Sequence, residues 1–159
     1  MCYSEPGVGT TFKIYFPVIK KETEIFEPRE EQFPIKGGNE TILLVDDEKA
    51  IRELGKNILT KFGYTVLMAS DGETALKIYH ENKKEISLVI LDIIMPGIGG
   101  KKCLEELLKI NPELRVIISS GYTMDGPSKE VLKAGAKGFI GKPYNINQIL
   151  KAVREVLDN

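Results

Sequence analysis

Acidic, hydroxyl and basic side chains follow four short apolar runs of this chain, at the points where those runs end. Asp46 and Asp47 follow the run ILLV, and Asp92 follows the run LVIL. Ser120 ends the run VIISS, and Lys142 follows the run FIG. If the runs are parallel strands of one sheet, their carboxyl ends lie at one edge of the sheet. We therefore expect these side chains to meet in one crevice.

Such a group of side chains has the composition of a phosphoryl-transfer site. Three carboxylates in one crevice repel one another and raise each other's pKa unless a cation compensates their charge. Mg²⁺ prefers oxygen ligands and accepts waters or phosphate oxygens in the rest of its octahedron. A lysine opposite the carboxylates supplies a compact positive charge for a phosphoryl oxygen. An aspartate can attack phosphorus as a nucleophile and form an acyl phosphate.

Each of these residues could also have an ordinary structural role. The two aspartates after the first run could cap a helix and favour its dipole. The serine could lie in a turn, and the lysine could be an ordinary loop residue. Asp92 fits such a role less well, because a charge directly after a buried strand needs partners. The coincidence of polar side chains at four strand ends favours a functional site.

The segments between these residues indicate alternating strands and helices. Short runs rich in Val and Ile, without polar alternation, are typical of strands buried on both faces of a parallel sheet. They predict five strands, over residues 41–45, 64–69, 88–91, 116–118 and 138–140. Apolar spacings of three and four predict five helices, over residues 49–62, 72–83, 100–110, a short segment after Pro127, and 146–157. This alternation predicts a doubly wound α/β domain.

The composition excludes several classes of protein. Hydrophobic residues make up 42% of the 159 residues and charged residues 28%, which is typical of a folded globular chain. The formal net charge of -1 argues against a protein whose main work is binding a nucleic-acid backbone. The chain shows neither a transmembrane stretch nor a signal peptide. Cys2 and Cys103 are too few and too far apart for a disulfide framework. We expect a cytoplasmic chain without membrane contact.

The composition also changes along the chain. Residues 19–36 mix charged residues with two prolines and show no lasting apolar period. We therefore interpret residues 19–38 as a linker. Residues 39–159 form the regular part, which is long enough to bury a core of its own. Residues 1–18 form a separate N-terminal segment.

Four segments of the regular part resemble the receiver domain of two-component response regulators. They are GNETILLVDDE, LVILDIIMPGIGG, VIISSGY and AKGFIGKPY, in the order of that family and close to its spacing. The resemblance covers residues 39–159 and implies a flavodoxin-like sheet with strand order 2-1-3-4-5. It also implies a domain that accepts a phosphoryl group from a histidine kinase or a histidine phosphotransfer protein and then changes its binding surface.

The resemblance assigns an acceptor and a metal site. It implies that Asp92 is the phosphoacceptor. It implies that Asp46, Asp47 and Asp92 bind Mg²⁺ together with the backbone carbonyl of Ile94. No dedicated output segment follows the resemblance in this sequence, so we expect the effect to pass to a kinase or to a phosphotransfer protein. The sequence leaves open whether the domain is a monomer or a homodimer.

The resemblance also assigns a basic residue and two switch residues. It implies that Lys142 is the lysine of the family's site, and that its bond to Pro143 is a cis peptide. It implies that Ser120 is the hydroxyl residue that moves toward the phosphoryl group. Phe139 holds the position of the aromatic switch residue, where the family often has tyrosine. A phenylalanine there lacks the hydroxyl, so any switching by this residue depends on the packing of its ring.

The N-terminal segment resembles the end of a different domain. SEPGVGTTFKIYFPV is similar to the closing segment of a histidine-kinase ATP-binding domain, in which a glycine-rich turn leads into a last strand. Gly7 and Gly9 permit a tight turn, and residues 11–18 predict a β-strand. The resemblance implies a hybrid sensor histidine kinase with a receiver fused behind its catalytic domain. This fragment lacks the kinase core, so its own catalysis would be limited to its phosphorylation and dephosphorylation.

Two rival functions come from other classes. A Mg²⁺-dependent aspartyl phosphatase would need a second acid two residues after its nucleophile, where this chain has Ile94. A degenerate receiver that docks without phosphorylation would be expected to lose site residues, and none is missing here. A dinucleotide-binding fold is disfavoured because acids, and not glycines, follow the first strand. We expect the phosphoaccepting receiver.

Overall fold

The chain divides into two units, residues 1–32 and residues 33–159. A computed structural model describes residues 2–15 of the first unit, and residues 36–121 and 134–159 of the second. The linker predicted over residues 19–38 lies outside the described residues except for its last three. The helix predicted after Pro127 also lies outside them.

The described part of the first unit is an antiparallel hairpin. Strands β1 (Cys2–Glu5) and β2 (Gly9–Phe12) pair with Glu5 opposite Gly9. Gly7 has a φ of 79°, which a glycine adopts at little cost. The prediction of a strand over residues 11–18 is wrong in extent, because β2 ends at Phe12 and residues 13–15 are in no strand. β1 was not predicted, because CYSE has no apolar alternation and is ordered by pairing across the hairpin.

The second unit contains a five-stranded parallel sheet with helices on both faces. Its strands lie in the order β4-β3-β5-β6-β7, which confirms the predicted order 2-1-3-4-5. The strands are β3 (Thr41–Val45), β4 (Thr65–Ala69), β5 (Ile86–Asp92), β6 (Arg115–Ser120) and β7 (Gly138–Gly141). The described helices are α1 (Lys49–Lys61), α2 (Gly72–Asn82), α3 (Gly99–Ile110) and α4 (Ile146–Leu157).

The central strands are apolar on both sides because helices cover both faces of the sheet. Side chains of α1 and α4, such as Leu59 and Leu150, pack on one face in what we call the α1/α4 cluster. Side chains of α2 and α3, such as Tyr79 and Leu104, pack on the other face in the α2/α3 cluster. Cys103 belongs to this second cluster and is a free, fully buried thiol. Two buried faces explain why β3, β5 and β6 show no polar alternation.

Side-chain caps mark the first turn of two helices. Asp71 caps α2, where its carboxylate accepts the backbone N–H of Thr74 at 2.8 Å. Asn145 caps α4 in the same way, through the N–H of Asn147 at 2.8 Å. Among the described residues, no helix has both the length and the apolar character needed to cross a membrane.

A charged cluster fastens the start of the sheet to the last helix. Arg154 of α4 donates to both carboxylate oxygens of Glu40, at 3.2 Å and 2.9 Å. The same guanidinium lies over the ring of Tyr64, 5.9 Å from its centroid. The Glu40 and Arg154 side chains are only 26% and 14% exposed, so solvent screens this pair less than a surface pair.

We predict that Glu40→Gln lowers the free energy of unfolding by about 1 kcal/mol at pH 7, because it removes a charge from a bidentate pair. The bond from Arg154 holds the pKa of Glu40 below its ordinary value of 4.5. The stabilisation is therefore complete above about pH 4.5 and is lost as the pH falls through the lower pKa of the folded state. Urea unfolding of both proteins across this pH range measures the difference.

The control for this prediction is Glu155→Gln. Glu155 pairs with Lys151 at 3.9 Å and its side chain is 61% exposed, so we expect no measurable change in stability. A deficit of Glu40→Gln that keeps the same size at every pH would contradict the assignment of the effect to the carboxylate charge.

Candidate functional site

Asp46 lies directly after β3 and is fully buried. Its backbone N–H donates to the carbonyl of Ala69 at 3.2 Å, which continues the pairing of β3 with β4. Its carboxylate oxygen Oδ1 accepts the backbone N–H of Glu48 at 3.0 Å. The guanidinium of Arg52, one turn into α1, donates to the Asp46 carbonyl at 2.5 Å. These contacts fix both the backbone and the side chain of Asp46.

Asp92 is the last residue of β5 and is only 4% exposed. Its oxygen Oδ1 accepts the backbone N–H of Ile94 at 3.1 Å. The next residue, Ile93, donates its N–H to the carbonyl of Ser119 at 3.3 Å, so the chain after Asp92 is bound to the end of β6. Burial raises the pKa of the Asp92 carboxyl, and hydrogen bonds from Lys142 and from the Ile94 N–H oppose that rise.

Lys142 follows β7 and joins the two buried carboxylates. Its ammonium nitrogen Nζ lies 2.6 Å from Asp46 Oδ2 and 2.7 Å from Asp92 Oδ2, and its side chain is 11% exposed. The ammonium donates a hydrogen bond to Asp92 Oδ2 and forms an ion pair with Asp46 Oδ2. Burial lowers the pKa of Lys142, but the two carboxylates outweigh this effect and raise the pKa above its ordinary value of 10.5. The peptide before Pro143 is cis.

Asp47 completes an acidic group with Asp46 and Asp92. One carboxylate oxygen from each residue lies within 4.8 Å of the others. Asp47 is exposed, so this group of hard oxygen donors opens to water on one side. One ammonium lies between the two buried carboxylates of Asp46 and Asp92, so the three acids keep a surplus of negative charge. The donor set, its surplus negative charge and its access to water fit Mg²⁺.

The two serines at the end of β6 point to opposite faces of the sheet. Ile117 belongs to the α1/α4 cluster and Ile118 to the α2/α3 cluster. Since side chains alternate along a strand, Ser119 points toward the first cluster and Ser120 toward the second. Ser120 is 3% exposed, and its carbonyl accepts the backbone N–H of Lys142 at 2.8 Å. This bond places the serine and the lysine on adjoining chain segments.

The other two predicted site residues are Ile94 and Phe139. Ile94 has a 58% exposed side chain, and its backbone reaches Asp92 through the N–H described above. The role of its carbonyl as a metal ligand stays a prediction. Phe139 lies opposite Ile118 in the sheet and packs, partly buried, against the α2/α3 cluster. Its role as a switch residue also stays a prediction.

Sequence analysis missed three residues that position the site. Arg52 binds the carbonyl of Asp46, and the hydroxyl of Tyr144 binds that of Ser119 at 2.9 Å. Gly100, at the start of α3, lies against the backbone of Asp92. The double glycine at positions 99 and 100 was a usable signal for a close approach of two backbones. No pattern in the sequence pairs a serine with a tyrosine 25 residues later.

We predict that Gly100→Ala lowers the free energy of unfolding by about 1 to 3 kcal/mol, because the added methyl would overlap the carbonyl oxygen of Asp92. An alanine in a helix is otherwise favoured over glycine by about 1 kcal/mol, so steric overlap decides the sign. Gly141→Ala is the control, since its added methyl would have no atom within 4 Å. Chemical unfolding measures both variants, and equal stability of the two would contradict the prediction.

Comparisons with known proteins agree with this geometry. The sequence model of the response regulator receiver domain matches residues 42–154. Sensor kinase CckA of Brucella abortus is 38% identical over 165 residues, which cover 99% of this chain and 17% of that kinase. Chemotaxis protein CheY of Thermotoga maritima is 37% identical over 116 residues, which cover 72% of this chain and 95% of CheY.

A solved structure shows the same fold. A chain of the CheX–CheY–BeF3–Mg²⁺ complex from Borrelia burgdorferi superposes with a TM-score of 0.71 and 33% sequence identity, covering 74% of this chain and 88% of that chain. The chain described here thus spans nearly the whole of one CheY relative but only 17% of the sensor kinase. The family match, the strand order and the acidic group at the strand ends together show that this chain belongs to the response regulator receiver domain family.

Proposed function

We propose that Asp92 is the residue of this receiver domain that accepts a phosphoryl group, and that the donor is a phosphohistidine of a histidine kinase or a histidine phosphotransfer protein. One observation carries the assignment: the ammonium of Lys142 lies within 2.7 Å of both Asp46 and Asp92 at the ends of three different strands. Phosphoryl transfer depends mainly on positioning and on neutralising charge, and this arrangement supplies both.

The transfer replaces one bond to phosphorus by another. A carboxylate oxygen of Asp92 forms the new bond, and the bond from phosphorus to the donor's histidine nitrogen breaks with its electron pair left on the ring. The contacts from Lys142 and from the Ile94 N–H hold the Asp92 carboxylate in one orientation. Lys142 is then placed to balance negative charge on the phosphoryl oxygens.

Asp46, Asp47 and Asp92 would hold Mg²⁺, together with the carbonyl of Ile94. The bound ion supplies positive charge for the phosphoryl oxygens. The presence of Mg²⁺ and BeF3 in the related complex from Borrelia burgdorferi supports this part of the proposal. Asp47 is exposed, so an ion held here would keep access to water, and Mg²⁺ usually keeps several of its waters.

The acyl phosphate would then change the binding surface of the domain. A new dianionic group needs partners, and Ser120, at the end of the strand that pairs with the strand of Asp92, would supply a hydroxyl. Movement of Ser120 would change the packing on the α2/α3 side of the sheet, where Phe139 lies. Partner proteins would distinguish the two states by this surface, and the domain needs no nucleic acid for that output.

The rival functions find less support. This chain lacks the second acid that an aspartyl phosphatase needs, because the residue two positions after Asp92 is the exposed Ile94. A docking-only receiver has no need for a lysine held between two buried carboxylates. Such a buried charged group is costly to form, and docking alone does not call for it.

Intact-mass spectrometry after incubation with Mg²⁺ and acetyl phosphate tests the proposal. We expect the wild-type chain to gain the mass of one phosphoryl group, and we expect Asp92→Asn to gain none, because an amide cannot act as the nucleophile. Chelation of Mg²⁺ is expected to abolish the gain. Asp158→Asn, just after the last helix, is the control and is expected to behave as the wild type.

Two results would contradict the proposal in different ways. A gain of mass that persists in Asp92→Asn would move the acceptor to another residue. A wild-type chain that gains no mass from acetyl phosphate or from a phosphorylated histidine kinase, and that binds neither Mg²⁺ nor beryllofluoride, would favour the docking-only receiver.

We also propose that the chain is part of a hybrid sensor histidine kinase that acts in the cytoplasm, with residues 1–18 the end of its ATP-binding domain. The match to sensor kinase CckA covers 99% of the chain and therefore includes the N-terminal hairpin. The hairpin exposes large apolar side chains, with Tyr3 at 66% and Phe12 at 71%. A two-stranded hairpin is marginal in water by itself, so these side chains indicate a sheet that continues in the rest of the kinase.

The size of the native protein tests this second proposal. An antibody raised against residues 39–159 should detect, in cells that make the protein, a species several times heavier than the 17.8 kDa of this chain. Purified chain added to the same lysate is the control for mobility and for proteolysis. A single native species of 17.8 kDa would overturn the hybrid-kinase proposal and leave the assignment of Asp92 intact.

A further inference from the structure

A buried hydrogen bond joins two side chains that lie beside the site but are not part of its charged group. The hydroxyl of Tyr144 and that of Ser119 are 2.9 Å apart. Ser119 is fully buried, and Tyr144 is 8% exposed. Burial raises the pKa of Tyr144 to about 12, so the hydroxyl keeps its proton across the physiological range. Titration of Tyr144 therefore does not remove this bond in the physiological range.

The two side chains belong to the two segments that carry Ser120 and Lys142. Ser119 immediately precedes Ser120 at the end of β6, and Tyr144 is the second residue after Lys142 in the loop before α4. One backbone bond also joins these segments, from the Lys142 N–H to the Ser120 carbonyl at 2.8 Å. The tyrosine bond is a side-chain connection between the same segments.

The ring of Tyr144 is itself held in place. It belongs to the α1/α4 cluster, which also contains Leu44 and Leu150. The ring lies beside Gly55 of α1, where an added methyl would be in ordinary van der Waals contact with the ring carbon Cε2, at 3.5 Å. A side chain that packs between a helix and a sheet has little freedom to move. The Tyr144 hydroxyl therefore keeps its position, and its hydrogen bond locates Ser119.

We infer that Tyr144 is a positioning residue for phosphoryl acceptance, which acts through its bond to Ser119 to hold the loop of Lys142 against the end of β6. This inference rests on the proposed acceptance of a phosphoryl group at Asp92. Lys142 is 50 residues from Asp92 in sequence, and its ammonium must stay within hydrogen-bond distance of a reacting carboxylate. A small displacement of such a group strongly lowers the rate of reaction.

The test uses Tyr144→Phe, Ser119→Ala and the double variant, in the full chain with Mg²⁺ and acetyl phosphate. Each single variant should lower the maximal rate constant of phosphorylation about tenfold, with little change in the acetyl phosphate concentration that gives half the maximal rate. Tyr144→Phe leaves the Ser119 hydroxyl buried without a partner and should also lower the Tm. The double variant removes both hydroxyls and should recover Tm.

The phosphorylation rate constant of the double variant distinguishes a positioning role of Tyr144 from an effect on stability alone. If Tyr144 positions the loop, the double variant stays slow although its Tm recovers, because the bond is still missing. If the rate recovers with the Tm, or if Tyr144→Phe reacts at the wild-type rate, the inference is overturned. A wild-type chain that takes up no phosphoryl group would instead overturn the proposed function.

Tyr79→Phe is the matched control. Tyr79 is also fully buried, and its hydroxyl accepts a hydrogen bond from Asn111 at 3.1 Å, but it belongs to the α2/α3 cluster. We expect this variant to lose stability and to keep the wild-type rate constant. A tenfold slower Tyr79→Phe would show that the rate follows general stability, and it would also overturn the inference.

Discussion

The site depends on a single ammonium group held between two buried carboxylates. Asp46 and Asp92 are almost inaccessible to solvent, and two such charges close together would be strongly unfavourable without a cation. Lys142 supplies that cation from a third strand. Three strands that are far apart in sequence are therefore drawn together at one point by charge as well as by backbone pairing. Asp47 adds a third carboxylate at the open side, which leaves the group with a demand for further positive charge.

The parallel sheet is what makes this meeting possible. Every described strand of the second unit runs in the same direction, so each turn that follows such a strand lies at the same edge. Close packing then fixes the positions of the side chains at that edge. Gly100 brings the start of α3 onto the backbone of Asp92, and Tyr144 fills the space between α1 and the sheet. The charged residues form the site, and the close packing of their neighbours determines where those residues lie.

Most of the fold and the charged residues of the site could be predicted from the sequence, and the reason is physical. Strands buried on both faces and amphipathic helices leave strong periodic patterns, and a carboxylate directly after a buried strand, such as Asp92, is costly unless charged partners surround it. Sequence reasoning did not reach the contacts of Arg52 with Asp46 or of Tyr144 with Ser119, because they join residues whose types are common anywhere. It also placed the N-terminal strand too far along the chain. β2 is ordered by its pairing with β1, and such pairing leaves little trace in the residue pattern of either strand.

The pair of Glu40 and Arg154 has a consequence for how this domain can be built into other chains. Glu40 stands at the entrance to the first strand of the sheet and Arg154 in the last helix, and Lys36 and Asp158 approach each other at 4.0 Å still closer to the two ends. The polypeptide therefore enters and leaves the domain at neighbouring points. A module with adjacent ends can be inserted within a longer protein as a side branch, with little separation of the segments on either side of it.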